Sequence, residues 1–261
     1  MLAAARQSEL VKLVQRDGVA RIGDLAETLA VSYMTIRRDI DVLVRSGVIE
    51  RVHGGAKIPG RLSSDEPGFE TKSTRQETEK QAIARAALEF VSEGLAIGLS
   101  AGTTTWTLAK LLGGHYPLTV VTNSIRVTNE LYARADGKPP AAPNVLLTGG
   151  ERTPSDAMVG PLAVSSLQQL HLDVLFLGVH GVDEHAGFTT PNLMEAETDR
   201  AFAAAARRVV VLADHTKWST VGMSSITELN KVDVLITDDG MPADALKLLR
   251  SAIPDVRVAA R

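Results

Sequence analysis

From residue 95 to the C-terminus the chain alternates short, continuous runs of Val, Ile and Leu with stretches of helical periodicity. The apolar runs are residues 95–99, 118–122, 145–148, 174–179, 209–213, 234–237 and 256–259. Helical patterns fall between them near 105–112, 125–135, 161–170, 193–208 and 243–252, and another over 75–93 precedes the first run. A strand with one face in water alternates apolar and polar residues. Uninterrupted apolar strands separated by helices instead require a mostly parallel sheet covered on both faces, so the predicted fold class of this region is α/β. In such sheets ligands bind where strands end and helices begin.

Residues 1–58 follow a different rule. Leu10, Leu13 and Val14 form one apolar stripe, and Ile22, Leu25, Ala26 and Leu29 a second at i, i+3, i+4, i+7, which predicts two short amphipathic helices parted at Gly18. Ser32 is placed to cap a third helix whose buried stripe is Ile36, Ile40 and Leu43. At about 100° per residue, Met34, Arg38, Asp41 and Arg45 fall opposite that stripe. An exposed helix with outward arginines, held by a second helix across a tight turn, is how helix-turn-helix proteins enter the major groove. The N-terminal residues of such a helix reach base edges, which makes Ser32, Tyr33, Thr35, Arg37 and Arg38 the candidate DNA contacts. In the stretch from Gly47 to Ala56, alternating apolar residues such as Val48 and Val52 then run into the paired Gly54 and Gly55. This predicts a β-hairpin wing that sets Arg51, His53 and Gly54 against the phosphate backbone.

The two regions meet at a stretch with two Pro, two Gly and few large apolar residues, read as a linker over 59–72 between a DNA-binding domain of 1–58 and an α/β domain of 73–261. Net charge is −3 for the chain, divided as +2 over 1–58 and −5 over the rest, so a mildly acidic average conceals a basic reading head. With no Cys among 261 residues there are no disulfides, thiolate nucleophiles or thiolate metal sites, which fits a reducing cytoplasm. No apolar run approaches the ~18 residues that a membrane span needs, and neither a membrane location nor export is expected.

Polar residues gather at the strand ends of the α/β region. Ser100-Ala101-Gly102-Thr103-Thr104-Thr105 leads from the first strand straight into a helix, bringing hydroxyls and helix N–H groups to one point in a way that suits a phosphate. The next two strands end in Thr122-Asn123-Ser124 and Thr148-Gly149-Gly150-Glu151. The fourth opens a loop over 180–192 that contains Asp183, with Glu195 on the following helix, and the fifth ends in Asp214-His215-Thr216-Lys217. A cation opposite hydroxyl-rich loops complements an anionic, polyhydroxylated ligand such as a sugar phosphate.

Val31-Ser32-Tyr33-Met34-Thr35-Ile36-Arg37-Arg38-Asp39-Ile40, continued through Leu43 and Gly47 to Arg51-Val52-His53-Gly54-Gly55-Ala56, closely resembles the N-terminal signature of DeoR-type bacterial transcriptional regulators. The strand-end motifs Gly102 to Thr105, Val121 to Ser124, Leu147 to Glu151, Gly187 to Asn192 with Glu195 and Glu197, and Leu212 to Asp214 with Lys217 are similar to that family's sensor domain. The resemblance implies a winged helix-turn-helix that binds operator DNA, and a sensor similar in fold to ribose-5-phosphate isomerase that binds a phosphorylated sugar. It implies a regulator, in the first instance a repressor of carbohydrate-metabolism genes, acting as a homodimer or homotetramer without cofactor or metal. The effector residues expected on this basis are Gly102, Thr103, Thr104, Thr105, Thr122, Asn123, Ser124, Gly149, Gly150, Asp183, Glu195 and Lys217. Ser100 stands where the family often has Asp, which leaves the identity of the sugar open. An alternative is an isomerase-like enzyme fused to a DNA-binding domain, with Asp183 or Glu195 as base and Lys217 steadying an enediolate. A metal reading of His180, Asp183 and His185 matches no ligand spacing.

Overall fold

The structure is a computed structural model that describes residues 3–17, 19–46, 48–52, 54–57, 68–112, 117–133 and 143–260. The chain divides into two compact units, Met1–Leu62 and Ser63–Arg261.

The first unit runs α1 (Ala3–Asp17), β1 (Val19–Arg21), α2 (Ile22–Thr28), α3 (Tyr33–Arg45), β2 (Glu50–Val52) and β3 (Gly55–Lys57). Leu10, Val14, Leu25, Ile36, Ile40 and Ile49 fill its core. Ser32 caps α3, its hydroxyl accepting from the Thr35 N–H at 3.2 Å. The wing holds three strands rather than two, because β1 pairs with β3 on the side away from β2. That third strand explains the second glycine of the wing tip. A Cβ at Gly55 would lie 2.3 Å from the Ala20 carbonyl oxygen, so the close approach here is to β1 itself. His53 and residues 59–67 of the expected linker lie outside the described residues. Residues 69–72, expected to end the linker, are part of a short helix, α4 (Phe69–Ser73), because Phe69 is an apolar anchor packed edge-on against Trp106 with ring centroids 5.4 Å apart.

The second unit continues with α5 (Glu77–Ala87), β4 (Ala96–Leu99), α6 (Thr103–Leu112), β5 (Thr119–Thr122), α7 (Ile125–Ala133), β6 (Asn144–Leu147), β7 (Glu151–Arg152), β8 (Met158–Val159) and α8 (Pro161–Leu167). It closes with β9 (Val174–Gly178), β10 (Gly181–Asp183), β11 (Gly187–Thr190), α9 (Leu193–Ala205), β12 (Val209–Leu212), β13 (Ser224–Thr227), β14 (Val234–Asp238), α10 (Ala243–Ala252) and β15 (Asp255–Ala259). The apolar runs form one seven-stranded sheet in the order β15-β14-β12-β9-β4-β5-β6, parallel throughout. Successive residues of a strand enter opposite cores: Val174 and Phe176 pack on one face, Leu175 and Leu177 on the other. Burial on both faces is therefore why these strands read as continuous rather than alternating. The stretch 180–192, expected as a loop, instead contains the β10–β11 hairpin, to which β13 adds a third strand. Val182 and Phe188, both wholly buried, hold it down.

From β4 the chain builds outward through β5 and β6, then crosses to β9 on the other side of β4 and builds outward again through β12, β14 and β15. The order reverses between β4 and β9. Loops that follow two such strands turn away from each other and leave a crevice at the carboxyl ends.

Candidate functional site

The reading head presents α3 as the sequence requires. Ile36, Ile40 and Leu43 are buried, whereas Tyr33, Met34, Arg37, Arg38, Asp41 and Arg45 are exposed and Thr35 is half-buried. Its anchor was not read from the sequence. Asp39 is 3% exposed and accepts from Arg6 Nε at 2.6 Å and Gln7 Nε2 at 2.9 Å, so α1 fixes the roll of α3 about its own axis. On the wing, the Arg51 guanidinium pairs with Asp41 of α3. Both partners are about half exposed, a setting in which such a pair contributes ~0–1 kcal/mol and leaves Arg51 able to exchange Asp41 for a phosphate. Gly54 is exposed at the tip, in a left-handed conformation with φ +77°.

In the α/β unit the crevice at the β4–β9 reversal is lined by Gly102, Thr103, Thr104, Glu195 and Lys217 of the expected residues, joined by Lys72, Ser155, His180, Thr190 and Asp199. α6 starts at its edge. The first α6 bond runs from the Trp106 N–H to the Gly102 carbonyl, which leaves the N–H groups of Thr103 to Thr105 outside the helix's own ladder. Lys72 reaches in from α4, its Nζ donating to Ser155 Oγ at 2.8 Å. Lys217 enters on a single helical turn, His215–Lys217, fixed by two buried carboxylates. Asp214 caps that turn, accepting from the Thr216 N–H at 3.0 Å, while Asp238 accepts from the His215 N–H at 2.7 Å and bonds its Nδ1 at 2.8 Å. Glu195 is held by the hydroxyls of Thr153 at 2.7 Å and Thr190 at 3.3 Å.

The other expected residues stand behind the crevice or away from it. Thr105 Oγ1 donates to the Ser100 carbonyl at 2.7 Å and Thr122 Oγ1 to the Leu99 carbonyl at 2.7 Å, so both hydroxyls hold strand ends. Asn123 accepts from the Ala101 N–H at 2.8 Å and donates to the Met158 carbonyl at 3.2 Å, fastening the first crevice loop to the next. Ser124 caps α7, accepting from the Val127 N–H at 3.2 Å. Gly149 and Gly150 take positive φ values of 73° and 120° in the loop before β7. Asp183 accepts from the N–H groups of His185 and Ala186 at 2.9 and 3.0 Å within the hairpin turn. Ser100, flagged for its missing carboxylate, accepts from the Gly178 N–H at 2.9 Å and so ties β4 to β9 at the reversal itself.

Two lysines, Lys72 and Lys217, and two carboxylates, Glu195 and Asp199, line the crevice together. Burial, reinforced by Lys217 and Lys72, pulls His180 down to about 3, so it is a neutral imidazole across the physiological range. Burial also opposes protonation of His215, but Asp238, Asp214 and Glu79 outweigh it and raise the imidazole above its ordinary value. Asp238 is the converse: burial pushes it up, and His215 more than compensates, holding the carboxyl below the usual range. Glu79, His215 and Asp238 have ligand atoms within 4.8 Å of one another. The His215–Asp238 pair accounts for this grouping as a clamp on the Lys217 turn. Lys80, beneath α4, donates to the Lys72 and Arg75 carbonyls at 2.5 and 2.6 Å. Burial lowers it to about 8, against the pull of Asp214 and with added repulsion from Lys217, Lys72 and Arg75. Between pH 8 and the ordinary lysine value the unfolded chain therefore holds more protons than the native one, and stability from this residue rises with pH by at most about 3 kcal/mol. Urea unfolding at several pH values is expected to show that rise in the wild type and to lose it in Lys80→Met.

A winged reading head followed by a parallel α/β unit with a polar crevice at its strand reversal defines a two-domain, DNA-binding transcriptional regulator. Residues 6–61 match the DeoR-like helix-turn-helix domain and residues 75–239 the DeoR C-terminal sensor domain. The chain belongs to the DeoR family. It is 35% identical over 253 residues to the HTH-type transcriptional regulator GlpR of Haloferax volcanii, covering 97% of this chain and 96% of that one. To the glycerol-3-phosphate regulon repressor of Escherichia coli K12 it is 31% identical over 250 residues, covering 95% and 96%. Among solved structures, ribose 5-phosphate isomerase A from Neisseria gonorrhoeae is similar over 56% of each chain at 21% identity and a TM-score of 0.41, a likeness too low to carry a functional argument. Among the described residues no helix is long and apolar enough to cross a membrane.

Proposed function

We propose that the chain is a repressor of carbohydrate-metabolism genes whose hold on operator DNA is changed by a phosphorylated sugar bound in the β4–β9 crevice. The observation that carries this reading is the convergence of Lys72 and Lys217 on the glycine-hydroxyl turn at the start of α6. Two cations and free helix N–H groups suit a phosphate, while neutral His180 and the carboxylates of Glu195 and Asp199 offer partners to sugar hydroxyls. The name of the glycerol-3-phosphate regulon repressor supports the same ligand class. Lys72 lies on α4, at the end of the 59–72 stretch that follows the reading head in the chain, so the crevice is tied directly to that connecting segment.

The enzyme alternative is less well supported. Asp183 is spent on the hairpin turn, and Glu195 is held between two threonine hydroxyls. A small reading head contacts few base pairs, so a homodimer or homotetramer on repeated half-sites belongs to the proposal, as does a cytoplasmic location. The test is DNA binding by the full-length protein with and without a panel of phosphorylated sugars and polyols, alongside gel filtration. Arg38→Ala is expected to weaken specific binding by about 1–3 kcal/mol without altering the response to effector. Unchanged affinity in Arg38→Ala, or a panel with no effect on DNA binding, would count against the proposal.

A further inference from the structure

Tyr33 and Met34 open α3 side by side, and both are more than half exposed, at 62% and 58%. Their directions differ. Tyr33 lies back over α2: a Cβ at Gly23 would come within 2.8 Å of its hydroxyl oxygen, so the ring ends over the opening turn of that helix. In helix-turn-helix proteins the first helix of the pair crosses the DNA backbone, which puts the Tyr33 hydroxyl on the phosphate side. Met34 stands one turn ahead of Arg38 on the face opposite Ile36 and Ile40. Every other residue of that face, Arg38, Asp41 and Arg45, is charged and exposed.

The Met34 side chain leaves 58% of its surface in solvent on this charged face, and a thioether offers no hydrogen-bond donor and only a weak acceptor. Its useful property is an unbranched, polarizable apolar end. In the major groove the matching apolar group is the C5 methyl of thymine, which no other base carries. We propose that Met34, rather than its neighbour Tyr33, is the residue that reads a thymine methyl in each half-site. The proposal rests on α3 being the groove helix, and it adds to the arginines a contact that discriminates by shape instead of by hydrogen bonding.

The experiment uses the full-length protein and DNA duplexes that it enriches from a random pool. Each thymine is replaced singly by deoxyuridine, which removes the methyl and keeps every hydrogen-bonding group. For the wild type, one thymine per half-site is expected to show about a fourfold loss of affinity on replacement, the effect of leaving one methyl-sized group unburied. Met34→Ala is expected to bind thymine and deoxyuridine duplexes equally at that position, Met34→Leu to keep the discrimination, and Tyr33→Ala to keep it while binding all duplexes more weakly. A deoxyuridine penalty that persists in Met34→Ala, or that disappears in Tyr33→Ala instead, overturns the assignment. Enrichment without any methyl-sensitive thymine overturns it as well, whereas failure to enrich any sequence removes the groove reading of α3 and the proposal with it.

Discussion

Lys217→Ala is expected to bind a phosphorylated effector about 10- to 100-fold more weakly, the equivalent of one charge-assisted hydrogen bond in a half-buried setting, while binding DNA as the wild type does. The reason is local. Lys217 rides on a turn whose geometry is set by Asp214 and Asp238 rather than by its own side chain, so truncation removes a charge from the crevice and leaves the turn in place. Isothermal titration with the responsive sugar phosphate and a DNA-binding assay on the same preparation separate the two effects. His180 adds a control: because it stays neutral down to about 3 in the free protein, an inflection of effector affinity assigned to it between pH 5 and 8 would mean that the bound phosphate raises its pKa. Wild-type effector affinity in Lys217→Ala would place the phosphate elsewhere.

Gly150→Ala is expected to be the more damaging substitution, lowering stability of the α/β unit by roughly 3 kcal/mol or more, in the range of a backbone clash added to a disallowed conformation. Gly150 has φ +120°, and a Cβ there would lie 2.3 Å from the Val159 carbonyl oxygen, a backbone atom that cannot swing aside. Moving Val159 disturbs the β7–β8 pairing of Glu151 with Val159. The loop between those strands supplies Ser155 to Lys72 and Thr153 to Glu195, so the crevice loosens together with the fold. Gly149→Asn is the contrast, since its φ of 73° suits asparagine and nothing lies within 4 Å of a Cβ there. Thermal unfolding of the two variants should differ widely; equal stability would show that the β7–β8 loop accommodates the extra atom.

The parallel sheet was legible because strands buried on both faces leave an unmistakable pattern of continuous apolar residues. The β10–β11 hairpin was not, because its buried positions include Thr189 and Thr190, which look like loop residues until their hydroxyls are seen to be satisfied internally, Thr189 by the Gly222 N–H at 2.8 Å. The glycine-hydroxyl turn, Glu195 and Lys217 could be found at strand ends, since that is where parallel sheets place ligands. Lys72 and His180 could not. One was the last residue of a stretch that reads as linker, with the isolated apolar Phe69 as its only signal. The other became a crevice residue only once β9 was known to lie beside β4. Thr122, Asn123 and Ser124 show the opposite error: polar residues at a strand end also serve to fasten neighbouring loops, and sequence does not separate the two uses.

The bond from Arg6 and Gln7 to Asp39 bears on where this molecule can be cut. A peptide spanning only α2 and α3 would contain every candidate base contact and still lack the two side chains that set the rotation of α3. Removing the first seven residues would take the same two partners of Asp39 from the intact protein. A minimal reader made from this chain therefore has to start ahead of Arg6.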